Sequence, residues 1–132
     1  MEQTLVIIKP DGVKRKLVGE ILQRFERKQL NIHQLKVATM SRELAEEHYA
    51  HIKTFDFFED MMTYMTSSEV VYIILEGNDV IKTVRKMLGA TNCLEAESGT
   101  IRGDFGGSSY QNVVHASDSP EAAAIEIKRF FN

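Results

Sequence analysis

Of the side chains in this sequence, His115 is the one best set for nucleophilic or proton-transfer chemistry. It lies in NVVHASDSPE, residues 112–121. Val113 and Val114 are β-branched and favour strand. Ser117, Asp118 and Ser119 are N-cap formers, Pro120 suits a first helical position, and AAAIEIKRFF has the apolar spacing of an amphipathic helix. The histidine is therefore expected at a strand-to-helix corner, where unpaired backbone N–H groups and the positive end of a helix dipole favour anions. Imidazole is a nucleophile and proton carrier near neutral pH, so the combination points to phosphate chemistry. Standing alone, the segment reads first as an ordinary helix start, since caps of this kind are common. Its company decides.

That company is basic or polar. Lys9 follows the first apolar run, Arg85 falls within a helical stretch, Thr91 follows Gly89, and Arg102 lies between Gly99 and Gly103 in GTIRGDFGG. Any one of these is ordinarily a solvated surface residue; their co-occurrence carries the weight. Arg102 is expected in a flexible loop, where a guanidinium meets phosphate oxygens bidentately. Glu126 falls two turns into the last helix, on the polar border of its apolar stripe. There it is either an exposed carboxylate or the group that orients His115 and stabilises its protonated form. Of Phe57 and Phe58, both suit a core, and either could offer a flat face to a base.

Other patterns lead nowhere. Asp104, Phe105 and Gly106 spell DFG, but no glycine-rich loop, β3 lysine or HRD segment accompanies them, and the chain is too short for a protein kinase. GxxxxGK[ST] is absent, which excludes a P-loop protein. His48 and His51 are three apart on an expected helix with no third ligand pattern, and read as a surface pair. Cys93 has no CxxC partner.

The bulk properties set outer bounds. At 132 residues the chain fits a single domain spanning 1–132, able to bury a real core. With 43% hydrophobic and 27% charged residues it reads as globular, and no apolar run suits a membrane span. MEQTLVIIKP does not resemble a secretory signal, and with the lone Cys93 it points to the cytoplasm. A net charge of −3 argues against a dedicated nucleic-acid binder, yet leaves room for a small anion held by a few cations.

The elements that must position these groups follow from pattern. Leu5–Ile8 is a buried strand closed by the turn signal KPDG; Val18–Lys28 is an amphipathic helix; Ile32–Met40 is a strand with Leu35, Val37 and Thr39 on one face. Helices are expected from Ser41 to about His51 and from Phe57 to Met65. VVYIIL, Val70–Leu75, is the clearest strand, followed by a helix over Asp79–Leu88 ended by Gly89. Residues 89–111 read as one long irregular segment, and loops of that length are usually functional or disordered. A strand at Val113–His115 and the last helix complete β-α-β-α-α-β-α-loop-β-α, an α+β domain of the split βαβ type.

The blocks TLVIIKPDGV, VGEILQRFE, EHY, FF, GATN, GTIRGDF and NVVHASDSPE, in this order and spacing, resemble nucleoside diphosphate kinases across essentially the whole chain. The resemblance implies a ferredoxin-like α+β core, a four-stranded antiparallel sheet covered by helices. It implies ping-pong transfer: His115 takes the γ-phosphate from a nucleoside triphosphate and passes it to a diphosphate, with Mg2+ on the phosphates. By the same resemblance, Lys9 contacts γ-phosphate and ribose, and Tyr49 stands beside the phosphates and His115. Phe57 stacks on the base; Arg85, Thr91 and Arg102 hold phosphates; Asn112 bonds the ribose hydroxyls. Ser117 and Glu126 support His115, Asp118 lies near the metal and phosphate end, and the subunits form a tetramer or hexamer. The chain departs from the family at Cys93 and Ser98, where prolines are common, at Ser68 and Glu69, where Gly-Pro is usual, and in ending at Asn132 where many members extend further. These departures touch loop stiffness and assembly. A non-catalytic nucleotide-binding or regulatory domain on the same fold is the alternative; it would be signalled by loss of His115, Lys9 or Arg102, all of which are present.

Overall fold

Two apolar faces on one sheet explain why the central strands carry continuous rather than alternating hydrophobic runs. The computed structural model describes residues 1–107 and 111–132. Its strands are β1 (Glu2–Ile8), β2 (Asn31–Thr39), β3 (Glu69–Gly77) and β4 (Val114–Ala116). They form one sheet in the order β2-β3-β1-β4, with every pairing antiparallel. In β1, Val6 and Ile8 point into one core with Val71, Ile73 and Leu75 of β3, while Leu5 and Ile7 point into another with Val70 and Tyr72.

Helices cover both faces. The first core is closed by α2 (Val18–Arg27), through Ile21 and Phe25, and by α5 (Val80–Leu88), through Val80, Ile81, Val84 and Leu88. The second is closed by α3 (Arg42–His48), α4 (Phe58–Met65) and the end of α7 (Pro120–Phe131). Each fully buried Leu, Ile or Phe in these layers contributes about 1.5–3 kcal/mol of transfer free energy. The order of elements and strands is that of the ferredoxin-like α+β fold.

Two short helices depart from the pattern reading. KPDG, taken as a turn, opens α1 (Pro10–Lys14): Pro10 occupies the first turn, and Asp11 supplies the acidic residue favoured there. The segment 89–111 is not irregular throughout, because Thr100 caps α6 (Ile101–Phe105) by accepting from the Gly103 amide; its residues 108–110 lie outside the described residues. The helix expected to reach His51 ends at His48, and a 3-10 turn, Ala50–Ile52, continues it. Val113, expected in the last strand, stands just before β4 with φ +77°. That left-handed conformation is costly for a β-branched residue, and its surroundings enforce it. The Val113 side chain is fully buried, its carbonyl accepts from Lys9 N at 2.8 Å, and Val114 N donates to Asn112 O at 2.9 Å across the turn.

Candidate active site

Sheet register brings the two ends of the chain together. Ile7 of β1 pairs with His115 of β4, so the residue just past β1, Lys9, emerges beside the histidine. Lys9 is buried, its Nζ donates to Asn112 Oδ1 at 2.8 Å, and Asn112 Nδ2 donates in turn to Thr91 O at 3.1 Å. The strained turn at Val113 sets this chain of contacts, since Asn112 and Lys9 are both fixed by its backbone. Burial, then the charge of Arg102, lower the Lys9 ammonium to about 8, against opposing pulls from Asp11 and Cys93.

Arg102 is not in a flexible loop, as its glycine-rich setting suggested. It sits on α6, 4% exposed. Its Nη1 donates to Gly89 O at 3.0 Å and its Nη2 to Val114 O at 2.8 Å. The guanidinium thereby straps the end of α5 to β4, and those two bonds use two of its five donors. Gly89 carries φ +86°, and a Cβ there would stand 2.4 Å from Thr100 Oγ1, so only glycine lets its carbonyl reach Arg102. Burial, then Arg85, lower the Arg102 guanidinium to about 10. Arg85 itself is exposed on α5 and donates to Ala116 O at 3.2 Å.

Behind His115 stands a carboxylate. Glu126 Oε1 is 3.0 Å from His115 Nε2, and the same oxygen accepts from Ser117 Oγ at 2.7 Å. Ser117 is fully buried, with its backbone N–H on Leu5 O. Burial pulls the Glu126 carboxyl upward, but His115, Ser117 and Arg129 hold it below its ordinary value. It is therefore an anion at neutral pH, and the ring proton facing it belongs to Nε2. Burial lowers the His115 imidazolium; Glu126 opposes this, while Lys9 and Arg102 push it down further. The ring is thus neutral near pH 7, with Nδ1 bare and basic.

These groups line one cavity of about 450 Å³, shared by Lys9, Tyr49, Phe57, Arg85, Thr91, Arg102, Asn112 and His115. Ser117 and Glu126 sit behind it. Asp118 falls in a neighbouring cavity with Pro120, which shares Arg85 with the first. The start of α7 also lies there. The positive character of the main cavity therefore comes from three side chains, Lys9, Arg85 and Arg102, and not from the helix terminus that the sequence suggested. Tyr49 is 7% exposed, and its hydroxyl has no partner among the described residues. Burial, then Glu126, push its phenol up, so it stays a donor. Phe57 is 41% exposed at the cavity mouth, whereas Phe58 is core. His51, Ile52 and Met61 also line the cavity, and nothing in their local sequence marked them.

The reading of His48 with His51 as a surface pair is corrected. His48 is 7% exposed, and its ring meets that of His115 edge-on at 4.7 Å. The sequence hid this because the wall that buries it, Phe130 and Arg129 of α7, comes from the far end of the chain.

A basic cavity with an apolar mouth and a neutral, carboxylate-backed imidazole suits transfer of a phosphoryl group from a ligand carrying both phosphates and a planar ring. The family model for nucleoside diphosphate kinase matches residues 2–132. The chain belongs to the nucleoside diphosphate kinase family. It is 56% identical to the nucleoside diphosphate kinase of Acetivibrio thermocellus over 99% of this chain and 96% of that one. The crystal structure of the nucleoside diphosphate kinase from Encephalitozoon cuniculi superposes with a TM-score of 0.96 at 42% identity, covering 98% of this chain and 88% of the other. That from Aquifex aeolicus gives 0.95 at 40% identity, covering 99% and 95%. As a member of a nucleoside diphosphate kinase family, the chain is a phosphotransferase acting on nucleotides.

Proposed function

We propose that the chain transfers the γ-phosphate of a nucleoside triphosphate to a nucleoside diphosphate in two half-reactions through a phosphohistidine on His115 Nδ1. One observation carries this reading: the 3.0 Å contact between His115 Nε2 and Glu126, which pins the ring proton away from the cavity and leaves Nδ1 as the lone pair facing substrate. In the first half-reaction the Nδ1 lone pair attacks phosphorus, the bridging P–O bond breaks, and the diphosphate leaves with the electron pair. The Nε2 proton stays in place and the ring becomes cationic, which the Glu126 carboxylate stabilises. In the second, a terminal phosphate oxygen of the acceptor attacks the same phosphorus and Nδ1 leaves with its pair.

Lys9, Arg85 and Arg102 offset the charge spread over the transferring oxygens, and the Tyr49 hydroxyl donates to one of them. Thr91 and Asn112 fix phosphate and ribose, and Phe57 offers a face that every base can stack on. Mg2+ is the expected cofactor, carried by the substrate phosphates. No carboxylate lines the main cavity among the described residues, so no protein cage is proposed for it; Asp118, which shares a neighbouring cavity with Arg85, is our candidate for meeting its water shell. When bound, it neutralises phosphate charge.

The outer edge of β2 supports a homo-oligomer. Leu35 and Val37 are 42% and 53% exposed on an edge strand whose other side pairs with β3, a surface that calls for a second copy of the chain. Four or six subunits are proposed. A cytoplasmic location is proposed from the single cysteine. The transfer is tested with labelled ATP. The protein should become labelled in an acid-labile, alkali-stable form, and the label should chase onto added GDP or dCDP. His115→Asn should abolish both, and label persisting in that variant overturns the assignment.

A further inference from the structure

His48, His115 and Glu126 each place one ligating atom within 4.8 Å of the other two. Two imidazoles and a carboxylate are the donors of many zinc sites, yet a nucleophile trapped on a metal is useless. The neighbour that decides the matter is Arg129, one turn beyond Glu126 on α7 and 14% exposed. Its Nε donates to Glu47 Oε2 at 2.9 Å, and its Nη1 lies 2.9 Å from His48 Nδ1. A guanidinium has donors and no acceptor, so Nδ1 is the accepting atom and bears no proton. His48 is also neutral, because burial, then the charges of His115 and Arg129, lower its imidazolium to about 2. The one ring proton is therefore on Nε2. Neither nitrogen has a lone pair to give a metal: that of Nδ1 is engaged by Arg129, and Nε2 is protonated.

We propose that Arg129 sets the tautomer of His48 and thereby keeps the cluster of His48, His115 and Glu126 from chelating a divalent cation such as Zn2+. The guanidinium is a positioning residue, held by Glu47 and acting through His48. Its benefit to catalysis rests on the reading of His115 as the phosphate acceptor, but the tautomer and the metal affinity do not.

Two measurements without nucleotide test it. Long-range 1H–15N correlation spectra of 15N-labelled protein separate protonated from bare ring nitrogens, and His48 in the wild type should be protonated at Nε2 and bare at Nδ1. Protonation at Nδ1 overturns the proposal. Calorimetric titration with Zn2+ should show Arg129→Met binding at least about tenfold tighter than wild type, the scale of such outer contacts in metal sites. Arg129→Lys, which keeps a donor, should stay near wild type, and adding His48→Gln to Arg129→Met should remove the gain. Equal zinc affinity in wild type and Arg129→Met, or a gain that survives His48→Gln, refutes the assignment. Labelling that persists in His115→Asn would sink the phosphohistidine reading and leave these results untouched.

Discussion

Replacing Glu126 by Gln removes one charge from behind the nucleophile while keeping its shape. In the wild type the His115 Nε2–H meets a carboxylate oxygen at 3.0 Å that Ser117 also holds at 2.7 Å, with the Glu126 side chain 12% exposed. A hydrogen bond to a charged partner contributes about 1.5–3 kcal/mol and a neutral one about 0.5–1.5, so the amide forfeits about 1–2 kcal/mol. In the proposed transfer that loss falls on the transition state, in which the ring gains positive charge. At 1.36 kcal/mol per decade the phosphorylation rate should fall about 5- to 30-fold, measured in single turnovers by rapid quench. The pH profile gives an independent sign. Glu126 raises the His115 imidazolium against burial, Lys9 and Arg102, so without it the imidazolium is lowered further and the ring stays neutral to more acid pH. The acid limb of the rate profile should move to lower pH even as the plateau drops. An unchanged plateau, or an acid limb moved upward, would refute the assigned role.

Three further outcomes follow from the same geometry. Phe57→Ala should raise KM by about 5- to 150-fold, from a stacking contribution of about 1–3 kcal/mol per base. The rise should be similar for purine and pyrimidine nucleotides in a diphosphate panel, with little change in Tm because the ring is 41% exposed. Nucleotide affinity, read by equilibrium titration, should weaken as pH rises through about 8, where the buried Lys9 ammonium loses its proton; Lys9→Arg should move that limb to higher pH. Gly89→Ala, forced into φ +86° against Thr100, should cost about 1–3 kcal/mol. By calorimetry that appears as a Tm lower by roughly 4 to 12 °C.

What the sequence disclosed depended on how local each cause was. β1 and β3 were legible because burial on both faces leaves short, continuous apolar runs rich in β-branched residues between turn signals. The candidate site residues could be named as a set because the family blocks hold them in order, and the fold brings eight of them to one cavity. Short elements were not legible. Pro10 and Asp11 serve a turn and a helical first turn equally well, and α6 is five residues long with a glycine inside. The burial of His48 was hidden for a different reason: α3 alone shows an exposed histidine, and Arg129, which gives it a tautomer, is 81 residues away. Val113 obeyed no local preference, since packing and the Lys9 contact override the strand tendency of valine.

In the proposed transfer, Nδ1 of His115 carries the phosphate. The direct measurement is 31P and 15N NMR of protein phosphorylated with ATP, with mass spectrometry of its peptides. One phosphate per chain on His115 at Nδ1, with Nε2 still protonated, is the predicted result. Phosphate at Nε2, or on any other residue of the chain, would rule out Nδ1 of His115 as the acceptor.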